Sequence, residues 1–417
     1  MMRRSLAVLT TAALAAGLLA GCSPSDNPPT QDNSSAPPPV TATITVWADA
    51  TRTPIITAMA AQFTADTGVA VDVVQRDFGS MRDDFISQAP TGQGPDVLIG
   101  AADWTGKFVQ NGVTVPVELK AADFSPVAIE AVTYDGKIYG LPYALENLAL
   151  FRNPALAPET PATMDAAIAA GQAAVAAGSA KYPFLLQTPR EGGDPYHVYP
   201  IQTSFGAPVF GSTANGYDSS DLAMCGPEGQ AFAAYLAKLG SEGVLATTMT
   251  ADITKEAFVN GESPFIITGP WNTADFQAAI PDVAIEAVPS AGGQTASPFV
   301  SVQAFFISAK SANQIAANQF VVNYLGSKQA QLDLFKAGGR PPALTAAAED
   351  PAVTGDPAMA GFAAVAEQGV AMPNIPAMDA VWGDWGNTES ALIDNQGDPA
   401  QLWDAACASI KEKIATS

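Results

Sequence analysis

The chain has 417 residues, a formal charge of −22 and one histidine; it is 48% hydrophobic and only 14% charged. Roughly 25% charged is ordinary for a globular domain. At ~150 residues per domain this length implies two to three domains with ample core. So acidic a balance excludes phosphate-led binding of nucleic acid. A lone histidine excludes a multi-histidine metal site, and the apolar content excludes disorder over most of the chain. No metal and no cofactor is expected; neutral ligands fit the charge balance better than anionic ones.

Taken in chain order, the first signal is a leader. Arg3 and Arg4 precede an apolar run from Leu6 to Ala20. That run is short for a bilayer span and suits the core of a signal peptide. It ends in Leu19-Ala20-Gly21-Cys22, which resembles a bacterial lipobox. Residues 1–21 are therefore expected to be a lipoprotein signal peptide, and a diacylated Cys22 the membrane anchor. Residues 22–42 are rich in Pro and Ser, lack aromatics and read as a tether. A globular body lipid-anchored at the extracellular face of the cell membrane is the expectation. Two cysteines remain, Cys225 and Cys407. They are either one disulfide or two buried thiols.

The body opens with alternating Thr43 to Trp47, a strand. Ile55 to Thr67 carries apolar residues at helical spacing and is closed by Gly68. Val69 to Val74 is a strand, Met81 to Gln88 a helix and Asp96 to Ile99 a strand. This rhythm predicts a mostly parallel sheet with helices on both faces. Strands follow at 137–141, 148–151, 263–268 and 299–307. Helices are expected at 161–178, 230–240, 254–260, 313–337, 358–368, 388–394 and 399–415. The segment around His197 reads as a Pro/Tyr-rich loop. No fixed-period repeat is present.

Several blocks, in consistent order, resemble the bacterial extracellular solute-binding proteins of sugar ABC importers, in particular the maltose/maltodextrin branch. They are Gly94-Pro95-Asp96-Val97 with Ala101-Ala102-Asp103, and Tyr134-Asp135-Gly136-Lys137 with Leu141-Pro142-Tyr143-Ala144-Leu145-Glu146. Gly269-Pro270-Trp271, Pro298-Phe299-Val300 and Met372-Pro373-Asn374-Ile375-Pro376-Ala377-Met378 with Trp382 complete the set. The resemblance implies an α/β, two-lobed, periplasmic-binding-protein-like (type II) fold with a hinge and an interlobe ligand cleft. It implies an N-lobe of 43–144 and 305–325, and a C-lobe of 145–304 and 326–417. The hinge crossings then fall near 145–147, 299–304 and 325–330. A monomeric capture protein that passes maltose or maltodextrins to ABC permease subunits is the implied function, without catalysis on this chain.

A neutral oligosaccharide offers hydroxyls and apolar ring faces, so its site needs aromatic plates and charged or amide groups. By the resemblance, Trp271, Trp382 and Tyr196 are stacking plates, with Asp194 at a matched acidic position. Asp103 and Glu146 match carboxylates that take sugar hydroxyls. Asp49 and Arg52, in the loop after the first strand, are further candidates. Arg82 stands where the family carries an acid. Trp385 has no matched aromatic and reads equally as cleft wall or core. Trp47 reads as lobe core, and His197 as wall or structure. Trp104 replaces a family Arg beside the acid. Gly383 and Gly386 replace an aromatic and an Arg, which touches chain-length and linkage preference.

A binder of another oligosaccharide or disaccharide, such as trehalose, shares all these features except pocket detail. An anchored glycoside hydrolase would need two carboxylates about 5–10 Å apart across the scissile bond. Asp103 and Glu146 could share a cleft, but no motif marks them as an acid and a nucleophile. A serine hydrolase lacks its GxSxG elbow.

Overall fold

The computed structural model describes residues 42–213 and 216–416. The expected leader, Cys22 and the tether through residue 41 lie outside them. β1 (Thr43–Ala48) buries Ile44 and Val46 on alternate positions. α1 (Thr53–Thr67) buries Ile56, Met59, Ala60 and Phe63 and stops at Gly68. Gly68 has φ 77°, and its N–H closes the last turn onto the Thr64 carbonyl at 2.8 Å. β2 is Ala70–Gln75. α2 (Phe78–Gln88) starts where the Asp77 carboxylate accepts from the Ser80 N–H at 3.0 Å. β3 is Val97–Ala101, buried throughout, and α3 is Thr105–Gln110. β1 lies between β2 and β3, parallel to both.

β4 (Gly140–Asn147) runs almost directly into β5 (Ala149–Arg152), with only Leu148 between. α4 is Pro195–Thr203 and α5 is Pro227–Ser241. β6 (Phe265–Thr268) and β7 (Ala284–Glu286) flank β5, both antiparallel, and make a second sheet. β8 (Phe299–Ile307) returns antiparallel to β4 and β3, with Ser301 opposite Glu146. Two adjacent antiparallel strands, β4 outward and β8 back, therefore join the lobes. The parallel order holds for β1 to β3, while the strands that cross pair antiparallel.

α6 is Lys328–Gly338, β9 is Val370–Ala371, α7 is Trp382–Ile393 and α8 is Pro399–Thr416. α5, α7 and α8 pack around Trp385 and Trp403 in the second core. Cys225 and Cys407 are disulfide-bonded, Cα to Cα 5.9 Å, which resolves the open alternative. It ties the loop before α5 to α8.

Three expectations change. Residues 313–337 are not one helix. A short α-turn (Gln314–Asn318) runs into a π-helical stretch (Gln319–Leu325), and the chain breaks at Gly326-Ser327. There Ser327 Oγ accepts from the Ala330 N–H at 3.2 Å and caps α6. Residues 195–203 form a helix, not a loop: Asp194 caps it and Pro195 sits in its first turn, where a missing N–H costs nothing. Finally, the expected crossing near 325–330 is instead α6, which packs on α1 with Leu332 and Phe335 buried. The third segment beside the hinge is 341–343. Leu145 N–H donates to the Pro341 carbonyl at 2.8 Å, and Ala343 N–H to that of Tyr143 at 3.0 Å. Among the described residues no helix is long and apolar enough to cross a membrane.

Candidate functional site

At the hinge end, the loop after β1 folds on itself because Asp49 Oδ1 accepts from the N–H of Thr51 (2.8 Å) and of Arg52 (3.1 Å). This turns the Arg52 guanidinium onto Asp49 Oδ2, the Tyr143 hydroxyl (2.6 Å) and Glu146 Oε1 (3.3 Å). Arg340 donates to Glu146 from the other side and reaches Thr51 Oγ1 at 3.0 Å. Gln303 Nε2 donates to the second Glu146 oxygen at 2.9 Å. The four charged side chains are all buried and sum to zero. Burial alone would raise the Asp49 carboxyl. Arg52, the Thr51 hydrogen bond and Arg340 overcome that and hold it below the usual value.

A second group closes the cleft itself. Arg82 on α2 and Asp103 and Lys107 around α3 meet Pro376, Asp379 and Trp382 across a cavity of about 10 Å³. That is room for about one water at most. Residues 376–382 are fixed to the second lobe through Met378 and Val381, both in its core. Arg82 Nη1 lies 2.6 Å from Asp379 Oδ1, and Lys107 contacts Oδ2. Asn374 also crosses, donating to the Glu130 carbonyl at 3.1 Å. Asp103 Oδ1 is buried and without a hydrogen-bond partner. Burial, opposed by Arg82 and reinforced by Asp379, pushes its carboxyl up to about 7. Trp104 forms the floor. It lies flat on Gly100, where a Cβ would come within 2.2 Å of the ring, and packs against Phe78 at 5.0 Å. Phe78 in turn sits under the Arg52 guanidinium at 5.6 Å, which links the two charged groups.

The second lobe supplies the aromatic wall. Trp271 lies over Gly269, half-buried, with its ring 6.4 Å from Tyr196 and 5.8 Å from His197. Tyr196 stacks towards Phe299 at 6.4 Å, and Trp382 meets the same Phe299 at 6.4 Å. The Tyr196 hydroxyl is 3.1 Å from Ser301 Oγ, which bonds the Glu146 carbonyl at 3.3 Å. This polar chain ties the aromatic wall to the hinge.

Two expected residues are placed elsewhere. Trp385 is fully buried, its indole N–H on Gln202 Oε1 at 2.9 Å, so it is core and supports Trp382 from behind at 5.5 Å. Asp194 is spent on structure. It accepts from the His197 N–H (3.1 Å) and Nδ1 (2.9 Å), caps α4 and bonds Gln187. Behind it, the buried Glu389 carboxyl is raised, first by burial and then by Asp194. Sequence reasoning passed over Arg340, Gln303, Lys107 and Asp379. Arg340 stood out only as a cation inside Gly338-Gly339-Arg340-Pro341-Pro342, and Asp379 as the residue after the Met372–Met378 block.

The family profile described as bacterial extracellular solute-binding protein matches residues 58–361. A maltotriose binding protein of Thermus thermophilus, solved with maltotriose bound, superposes with a TM-score of 0.81 at 31% identity; the match covers 89% of this chain and 100% of that one. A galactooligosaccharide-binding protein of Bacillus subtilis is 25% identical over 407 residues, 95% of this chain and 94% of its own. A maltooligosaccharide ABC transporter solute-binding lipoprotein of Streptococcus pneumoniae is 26% identical over 424 aligned positions, 99% of this chain and 97% of its own. With the two lobes, the paired hinge strands and the lined cleft, these matches mean that the chain belongs to the bacterial extracellular solute-binding protein family.

Proposed function

We propose that this chain captures maltose and maltodextrins and delivers them to the permease subunits of an ABC importer. The observation that carries the reading is the cleft's division of labour. Trp271, Tyr196 and Trp382 of one lobe supply plates for sugar faces, and Asp103 and Arg82 of the other supply charged partners for hydroxyls. Asp49, Arg52 and Glu146 form the hinge-side wall. The similarity to maltotriose- and maltooligosaccharide-binding relatives supports α-linked glucose chains as the ligand. Ligand contacts to both lobes favour the closed form in proportion to its differential affinity. The lobe limits proposed are 43–144 with 305–343 for the first lobe and 145–304 with 344–417 for the second, 326–343 being moved because α6 packs on α1. Anchoring by a diacylated Cys22, at the outer face of the membrane, and action as a monomer belong to the same proposal. So does the absence of catalysis on this chain.

A second reading, capture of a differently linked oligosaccharide, is favoured by the galactooligosaccharide-binding relative that aligns with nearly the whole chain. Thermal melting and calorimetry with maltose, maltotriose, trehalose and a galactooligosaccharide separate the two. Maltotriose is expected to raise Tm, as a ligand of the folded state must. A shift with galactooligosaccharide alone would transfer the assignment, and no shift with any α-glucan would end it.

A further inference from the structure

Asp379 sits in the short turn Pro376–Ala380, between the Met372–Met378 block and α7. Its neighbours Met378 and Val381 are locked into the second core, so its position moves with that lobe. Its carboxylate nevertheless points at the first lobe. One oxygen lies 2.6 Å from Arg82 Nη1, and the other contacts Lys107 Nζ. The chain has 19 Lys and Arg against 41 acids, yet two of those cations, from different helices, converge on this one carboxylate.

An ion pair between bodies that swing apart exists only when they are together. The side chains of Arg82, Lys107 and Asp379 are 20%, 28% and 27% exposed. Each pair alone would be weak at such exposure. A carboxylate gripped by two cations in a pocket floored by Trp104 and Trp382 is a small network, and a two-state lobe equilibrium responds to modest differential contacts. Arg82 is also held by Asp83 at 3.0 Å, and its charge acts on Asp103. The guanidinium thus takes its hydrogen bonds on Asp83 and its interlobe ion pair on Asp379, in the same pocket as the unpartnered Asp103 oxygen.

We propose that Asp379 is an interlobe catch and positioning residue: by engaging Arg82 and Lys107 across the cleft it holds the lobes closed and aims Arg82 at the Asp103 subsite. The proposal rests on the sugar-capture reading for its ligand but not for the catch. The contact is between protein groups of the two lobes alone, so its loss favours the open form and should weaken capture.

The test uses the mature full chain in five forms: wild type, Asp379→Asn, the reciprocal Arg82→Gln/Lys107→Gln, the combination of these, and Asp379→Glu as the conservative rescue. Small-angle X-ray scattering without sugar at low salt should show both neutralised variants more expanded than wild type, with Asp379→Glu close to wild type. About 0.5 M salt should expand wild type and leave the neutralised variants unchanged. Combining Asp379→Asn with the reciprocal pair should add no further expansion. Calorimetry should find maltotriose Kd weakened about 5-fold or more in Asp379→Asn. Circular dichroism melts establish that each variant is folded, and the reciprocal pair keeps the test open if one is not. Superimposable sugar-free scattering curves for wild type and the variants would overturn the catch, and unchanged or tighter maltotriose affinity would overturn its part in capture. If wild type binds no maltotriose, the sugar reading fails while scattering still decides the catch.

Discussion

At the hinge, Asp49 and Glu146 face Arg52 and Arg340; in the cleft, Asp103 and Asp379 face Arg82 and Lys107. The hinge group holds two acids and two cations; in the cleft Asp83 also holds Arg82, at 3.0 Å, so that group has one acid in excess. They differ in completeness. In the buried hinge group every charged side chain is hydrogen-bonded, with Tyr143, Thr51 and Gln303 as partners, although Gln303 Oε1 is itself left without one. The cleft group leaves buried oxygens of two carboxylates, Asp103 Oδ1 and Asp379 Oδ1, without a hydrogen-bond partner, although buried polar atoms are normally paired. A closed charge balance in which every charged side chain is hydrogen-bonded makes a strut. A group whose buried carboxylate oxygens are open in hydrogen bonding is where a hydroxyl has something to gain.

The largest test of that contrast removes one strut. Arg340→Met should destabilise the chain by about 3–5 kcal/mol, because Glu146 then stays buried with one cation fewer. Urea unfolding measures it, and a loss no larger than that from Arg82→Met would erase the distinction between the groups. Next, Trp271→Ala should cost roughly 1–3 kcal/mol of maltotriose binding by calorimetry, with little effect on unfolding. Unchanged affinity would mean that the sugar does not lie on this wall.

The smallest expected effect concerns pH, and the two groups carry opposite signs. Asp103 titrates near 7 in the folded chain, above its usual 3.8. The folded state therefore holds that proton more tightly, and stability falls as pH rises from about 4 to about 7. Asp103→Asn should match wild type at about pH 4 and melt about 1–3 °C higher at about pH 8. Asp49 is held below its usual value, so its contribution is present above that value and disappears as pH falls through its folded pKa. Asp49→Asn should lower Tm at neutral pH and lose its effect in strong acid. The same sign for both variants would refute the contrast.

Much of this was legible in the residues. α1 runs from the apolar spacing to Gly68 as read, because helix faces and their stops are local properties. Asp103, Glu146, Trp271 and Trp382 all lie at the cleft or its hinge end, since motif blocks mark segments whose backbone shape is itself locally coded. Residues 195–203 were misread because two prolines look like a loop until Asp194 is seen to cap them. Residues 313–337 were misread because apolar spacing survives a π-helical stretch and a restart at Ser327.

By itself, then, the sequence determined the class of the molecule: an acidic two-lobed α/β chain whose aromatic and acidic blocks suit a neutral ligand. Only the tertiary structure decided which charges are spent. Arg340 meets Glu146 across 194 positions, and Lys107 meets Asp379 across 272. Trp385 and Trp382, three positions apart, part into core and cleft because Gln202 claims one indole N–H. Pairing and burial depend on what the rest of the chain brings alongside, and composition, spacing and local motifs carry no record of partners that far away.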